Sequence, residues 1–64
     1  MAPHQKRVVE EKEELDGKIE RLSAFLPTDI YQGLDPAEQV RMRWQLSCMQ
    51  AYSQVLGERI AAFS

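Results

Sequence analysis

Three polar residues recur every seven positions in the C-terminal half of the chain: Gln45, Tyr52 and Arg59. In a helix this spacing forms a row that drifts only slowly around the axis. Arginine binds phosphate through two parallel hydrogen bonds, and tyrosine offers a ring for stacking. Glutamine presents both a donor and an acceptor to the edge of a base. The row therefore indicates a nucleotide site. In the alternative interpretation, Tyr52 is an ordinary interface aromatic and Arg59 pairs with a carboxylate such as Glu11 across the hairpin.

The N-terminal half offers matching groups. A second row with seven-residue spacing, close to Arg7, comprises His4, Glu11, Lys18 and Phe25. Lys12 lies within an apolar stripe, so it either extends its ammonium outward along the apolar surface or supplies a cation to a pocket between subunits. Arg43 belongs to the most basic local segment but projects to the solvent-exposed face of its helix. From these patterns the candidate ligand-binding residues are Arg7, Lys12, Lys18, Gln45, Tyr52 and Arg59.

The first predicted helix spans residues 3–26. Pro3 is tolerated in the first turn of a helix, and Pro27 ends the pattern because proline cannot continue the hydrogen-bond ladder. The apolar residues recur in steps of four and three, which places them on one stripe: Val8, Leu15, Ile19, Leu22 and Leu26. Gly17 lowers helix stability by up to about 1 kcal/mol relative to alanine, which suggests close approach of another backbone or a ligand.

A predicted loop, residues 27–35, follows this helix. Thr28 is expected to cap a short turn, and Gly33 to close that turn in the left-handed conformation. Two helices joined by so short a linker most simply fold back antiparallel.

The second predicted helix spans residues 36–63. Asp35 is its expected N-cap, Pro36 its first residue, and Glu38 the carboxylate of a capping box. Its first apolar stripe, interrupted by Ser53, comprises Met42, Leu46, Met49, Leu56, Ile60 and Phe63. A second stripe, displaced by roughly 150°, comprises Ala37, Val40, Trp44, Cys48, Ala51, Val55 and Ala62. One partner helix cannot cover both stripes, so the second is expected to form an interface.

These patterns predict an all-α protein, one helical-hairpin domain over residues 1–64 that assembles into a homo-oligomeric bundle. A chain of 64 residues buries only about 60% of its unfolded surface, so a monomeric core would be marginally stable. We therefore expect the protein to oligomerise. The single cysteine, Cys48, excludes an internal disulfide and suits a reducing compartment. No paired spacing of histidine and cysteine predicts a metal site.

Composition also excludes several functions. A formal net charge of −2 argues against binding of duplex nucleic acid. No apolar run reaches the roughly 20 residues of a membrane span, and the N-terminus lacks the apolar core of a signal peptide, so we expect a cytosolic protein. His4, the only histidine, lies far in sequence from Cys48, which argues against a nucleophilic enzyme. No glycine-rich phosphate loop is present, and no cofactor is expected.

Two runs, RVVEEKEELDGKIERLSAF and RMRWQLSCMQAYSQVLGERIAAF, joined by a short proline-bearing loop, resemble the helical-hairpin domain of phage anti-CBASS and anti-Thoeris proteins. The resemblance covers roughly residues 7–63. It rests on Arg7, Glu11, Leu15, Lys18, Phe25, Gln45, Met49, Tyr52, Leu56 and Arg59 at their spacings.

The resemblance implies a homo-oligomer, commonly a hexamer, with ligand pockets where hairpins of different subunits meet. Such proteins act as sponges in the cytoplasm of the infected bacterium: they sequester cyclic dinucleotides, cyclic trinucleotides or cyclised ADP-ribose signals without cleaving them. Lys12 or Lys18 would then be the cation of helix one, and the contacts from helix two would be Arg43, Gln45, Tyr52 and Arg59. The alternative function is a structural or adaptor hairpin that assembles through the Trp44 stripe and binds a host or phage protein.

Overall fold

The computed structural model describes residues 1–63, which form three helices and contain no strand. Helix α1 spans Pro3–Phe25, the one-turn helix α2 spans Asp29–Gln32, and α3 spans Pro36–Ala61. The all-α class predicted from the apolar spacing is confirmed. The molecule is a rod, 47 Å long and 14 Å by 13 Å across.

Helices α1 and α3 pack side by side along their apolar stripes. Leu56 is fully buried against Val8 and Leu15, and these three residues form the core. Half-buried apolar side chains extend this cluster along the rod: Ile19, Met49, Ile60 and Phe63. Burying one leucine side chain contributes about 1.5–3 kcal/mol to the free energy of folding. A core of this size therefore gives the hairpin limited stability.

The contacts between the helices have antiparallel order. Lys12 of α1 meets Ser53 and Gly57 of α3, whereas Lys18, further along α1, lines a groove with Tyr52. The chain therefore folds back on itself as a helical hairpin, with α2 in the connection.

The connection begins where proline ends α1. Helix α1 stops at Phe25, one residue before the predicted end, with Leu26 as its C-cap and Pro27 next. Thr28 caps α2 as expected: its Oγ1 accepts from the Tyr31 N–H at 3.3 Å and donates to the Phe25 carbonyl at 2.6 Å. One hydroxyl thus joins the end of α1 to the start of α2.

Gly33 does not adopt the left-handed conformation expected of it. Its φ is −85° and its ψ −4°, both right-handed helical values. Its N–H donates to the carbonyls of Asp29 and Ile30 at 3.0 and 3.2 Å, and the Leu34 N–H reaches the Tyr31 carbonyl at 3.1 Å. A helix of one turn has its last carbonyls satisfied in this way, so the reversal that a left-handed cap provides is not needed.

Helix α3 starts at the predicted residue but without the predicted capping box. Asp35 is the N-cap and Pro36 the first residue, yet the Asp35 side chain makes no capping hydrogen bond. The Glu38 carboxylate instead accepts from Nε of Arg41 at 2.9 Å. The capping box fails because an arginine three residues ahead, a neighbour on the helix surface, competes for the carboxylate.

At its other end α3 stops at Ala61, two residues before the predicted end. The N–H of Ala62 donates to the carbonyls of Glu58 and Arg59, which completes the last turn. Phe63 lies beyond the helix and packs on the core.

The second stripe of α3 remains on the surface of the hairpin. Trp44 is 69% exposed, and Val40 and Val55 are about half exposed. The first stripe alone is covered by α1, as the two-stripe pattern predicts. Within residues 1–63, no helix combines the length and the apolar character that a membrane crossing requires.

Candidate functional site

An open groove of about 190 Å³ lies between the two long helices. Glu11, Glu14, Leu15 and Lys18 of α1 line it, and Tyr52 of α3 closes the other side. The α1 residues are spaced three, four and seven apart, which places them on one face of the helix. Leu15 is buried and belongs to the core, whereas the four polar residues are exposed.

The groove brings together two of the predicted site residues, one from each helix. Lys18 offers an ammonium, and Tyr52, 45% exposed, offers a ring and a hydroxyl. Glu11 and Glu14 add two carboxylates that act only as acceptors when ionised. None of these four side chains hydrogen-bonds or ion-pairs with another residue in the part of the chain that the structure describes. Their polar groups are therefore available to a ligand.

The other five predicted site residues lie outside the groove. Gln45 is exposed, with Nε2 3.8 Å from Sδ of Met49, and Arg7 and Arg59 are exposed on α1 and α3. The alternative pairing of Arg59 with Glu11 is not formed. Among residues 1–63 the ion pairs join Lys12 to Asp16 and Arg41 to Glu38.

Lys12 takes part in a polar cluster that crosses the apolar seam. Its Nζ lies 2.9 Å from Oδ2 of Asp16 and 3.0 Å from Oγ of Ser53. The Ser53 hydroxyl, which is buried, donates to the other oxygen of Asp16. Every polar group of this cluster thus has a partner, and the ammonium is held between the helices. The lysine stem passes over Gly57, where a Cβ atom would lie 3.2 Å from Cε of Lys12.

The cluster keeps its carboxylate ionised. Hydrogen bonds from Ser53 and then from Lys12 lower the pKa of Asp16 below its ordinary value of 3.8, the positive charge of Lys12 adds to this, and partial burial opposes it. A serine beside a lysine can serve as nucleophile and base, but here the Lys12 ammonium and the Ser53 hydroxyl both donate hydrogen bonds to Asp16. The arrangement is suited to joining α1 to α3.

Sequence reasoning missed Asp16 and Ser53 as partners of Lys12. One signal was present: Lys12 and Ser53 are the polar interruptions of two stripes that must face each other. Polar groups in facing seams are expected to pair, because an unpaired buried polar group is costly.

Arg43 lies away from the groove, at the loop end of the hairpin. Its Nη1 donates to Oη of Tyr31 at 2.9 Å, and that hydroxyl donates to the Gln39 carbonyl at 2.9 Å. Tyr31 is buried and meets the ring of Phe25 edge to face, with centroids 6.1 Å apart. The guanidinium therefore contacts the connection between the helices, although the residue is exposed overall.

The remaining candidates for chemistry are the single cysteine and groups of metal-ligating side chains. Cys48 is a free, exposed thiol on the second stripe. Within residues 1–63, no group of three or more His, Cys, Asp and Glu residues lies close enough to hold a metal ion.

A family model described as Sequestin matches residues 2–62, a span that includes both long helices, the groove and the polar cluster. Comparisons with curated proteins and with solved structures gave no match. The family's name fits a protein that sequesters a ligand. With nearly all of its length matched, the chain belongs to the Sequestin family.

Proposed function

We propose that this protein is a phage immune-evasion sponge, which binds cyclic oligonucleotide or cyclic ADP-ribose-type signals of bacterial anti-phage defence without cleaving them. The observation that carries the proposal is the groove that Lys18 of α1 and Tyr52 of α3 line together. A ring for stacking beside an ammonium is an arrangement that suits a nucleotide. Membership of the Sequestin family supports sequestration as the mode of action.

The ligand site that we propose extends beyond the groove of one hairpin. Gln45 and Arg59 are exposed on the same row of α3 as Tyr52, and Arg59 makes no ion pair within residues 1–63. They are free to contact a ligand that spans two hairpins. The exposed second stripe, with Trp44 at 69%, supports assembly of such hairpins into a homo-oligomer, for which we propose a hexamer.

The proposed mechanism contains no chemical step. The signal is withheld from the effector of the host cell, in the cytoplasm of the infected bacterium. A pocket formed by rigid helices suits this task because little ordering is required when the ligand binds. Lys12 and Ser53, whose pairing resembles a base and nucleophile, are engaged with Asp16 and with each other.

Calorimetry of the purified protein against cyclic dinucleotides, cyclic trinucleotides and cyclised ADP-ribose tests this proposal. We expect tight binding of at least one compound and recovery of that compound with unchanged mass after the protein is denatured. Tyr52→Ala should weaken binding at least about fivefold while helical circular dichroism persists, since stacking contributes about 1–3 kcal/mol per base. No binding across the panel contradicts the proposal, and recovery of an altered compound indicates an enzyme.

A second candidate function, a structural or adaptor hairpin, is favoured by one observation. The exposed stripe around Trp44, Val40 and Val55 is apolar surface of the kind found in protein interfaces. An adaptor would show no thermal shift with any nucleotide, and Arg59→Ala would leave its assembly unchanged.

A further inference from the structure

The groove between α1 and α3 has an unusual charge balance for a site that accepts part of a phosphorylated ligand. Two carboxylates, Glu11 and Glu14, line it together with a single ammonium, that of Lys18. A phosphate placed here would meet two like charges and only one opposite charge. The groove is therefore better suited to a neutral group with hydrogen-bond donors, and the phosphates of a ligand are better accommodated outside it.

The size and the walls of the groove fit one nucleobase. Its volume of about 190 Å³ is below the roughly 300–1,000 Å³ of pockets that enclose a drug-sized ligand, so it has room for only a part of a cyclic nucleotide. Leu15 supplies an apolar wall, and Tyr52 supplies a ring that is 45% exposed and makes no hydrogen bond to another residue within 1–63. A flat base can stack on that ring.

The charged groups then favour one base over another. Guanine presents two adjacent donors, the N1–H and the exocyclic amine, and an ionised carboxylate can accept both. Its O6 lies beside them and is an acceptor that lysine recognises. Adenine presents an acceptor, its unprotonated N1, where guanine has a donor, so a carboxylate at that position would face a lone pair.

We propose, on the basis of the function proposed above, that this groove selects guanine: Glu11 or Glu14 accepts from N1–H and the exocyclic amine, Lys18 donates to O6, and the ring stacks on Tyr52. Both glutamates are free for this role because neither forms an ion pair within residues 1–63. The groove thereby determines which cyclic nucleotides are sequestered.

The test compares ligands that differ only in the base. Calorimetry with wild-type protein uses cyclic di-GMP against cyclic di-AMP, and cyclic AMP-AMP-GMP against cyclic triadenylate. A bidentate contact of this kind discriminates by about 1–3 kcal/mol, or roughly 5- to 150-fold. We expect the guanine member of a pair to bind at least about fivefold tighter. An analogue with hypoxanthine in place of guanine, which lacks the exocyclic amine, should lose most of that advantage.

Matched variants assign the preference to the groove. Glu11→Gln and Glu14→Gln keep side-chain size but replace one carboxylate oxygen with a donor, so one of the two should abolish the preference for guanine. Glu13→Gln makes the same change at an exposed position of α1 outside the groove and should keep the preference. Equal or tighter binding of the adenine members, or an unchanged ratio of guanine to adenine affinity in both groove variants, overturns the proposal that the groove selects guanine. Neither result contradicts the proposed function as a sponge. A wild-type protein that binds none of the ligands overturns the proposed function itself.

Discussion

The Nζ atom of Lys12 lies 3.0 Å from Oγ of Ser53, so a hydrogen bond joins α1 to α3 inside an otherwise apolar seam. Asp16 completes the link through contacts with both residues. Polar groups that pair across a seam favour one alignment of the helices, because a shift of one helix would separate the buried Ser53 hydroxyl from its two partners. In a hairpin with few core residues, this cluster fixes which residues of α1 face Tyr52.

Removing the Ser53 hydroxyl tests the cluster. Ser53→Ala should lower the free energy of unfolding by about 1 kcal/mol, because Lys12 and Asp16 each lose a hydrogen bond at a buried position. Urea denaturation followed by circular dichroism at constant protein concentration measures the change. Ser47→Ala, at an exposed position of the same helix, is the control. Equal effects of the two variants would contradict the role of the cluster.

The lowered pKa of Asp16 predicts a dependence of stability on pH. A carboxyl whose pKa is lower in the folded state binds fewer protons there than in the unfolded state, so its contribution is complete above its ordinary pKa of 3.8. The contribution is lost as the pH falls through the lower folded value. Wild-type protein should therefore be more stable than Asp16→Asn at pH 7, and the gap should narrow below pH 3.8. A gap that stays constant down to pH 2 would contradict this account.

The two helical glycines nearest the cluster should respond differently to alanine. An added Cβ at Gly17 would meet only the flexible guanidinium of Arg21, at 3.4 Å, so no other backbone approaches this glycine within residues 1–63. Gly17→Ala should raise stability by up to about 1 kcal/mol. Gly57→Ala should gain less or lose stability, because its Cβ would lie 3.2 Å from Cε of Lys12, whose ammonium is held by two partners. Thermal unfolding of both variants at one concentration makes the comparison, and an equal gain would show that Lys12 moves freely.

Two arginines of the predicted site should separate into different roles. Arg43→Ala should lower stability by about 0.5–1.5 kcal/mol, because its hydrogen bond to Tyr31 ties α3 to the connection. Arg59→Ala should leave stability nearly unchanged and weaken binding of the cyclic nucleotide. Calorimetry and denaturation on the same preparations distinguish the two effects. If Arg43→Ala lost ligand binding but kept the stability of the wild-type protein, Arg43 would be a ligand contact and not a structural residue.

The exposed stripe should determine assembly. Trp44→Glu should lower the molar mass measured by light scattering toward the 7.4 kDa of one chain, because a buried unpaired carboxylate opposes an apolar interface. Gln50→Glu adds the same charge at another exposed position of α3, outside the stripe, and should keep the wild-type mass. A wild-type protein that is already monomeric, or a Trp44→Glu variant of wild-type mass, would contradict assembly through this surface.

Sequence alone predicted the elements of this fold. The spacing of apolar residues, together with Pro27 and Pro36, placed the two long helices to within two residues of their observed ends. Local rules decide these features, since a proline interrupts a helix wherever the helix lies. The capping box at Glu38 was wrong because a nearby arginine competed for the same carboxylate.

Only the tertiary structure decided which side chains meet. Periodicity placed Lys12, Lys18 and Tyr52 on faces of helices, but pairing depends on the alignment of one helix against the other, which spacing within a single helix does not contain. That alignment sets Lys12 against Ser53 and leaves Lys18 to line a groove with Tyr52. The sequence by itself thus determined the helices and their apolar stripes, and packing determined the groove, because contacts between distant residues exist only once the chain has folded back.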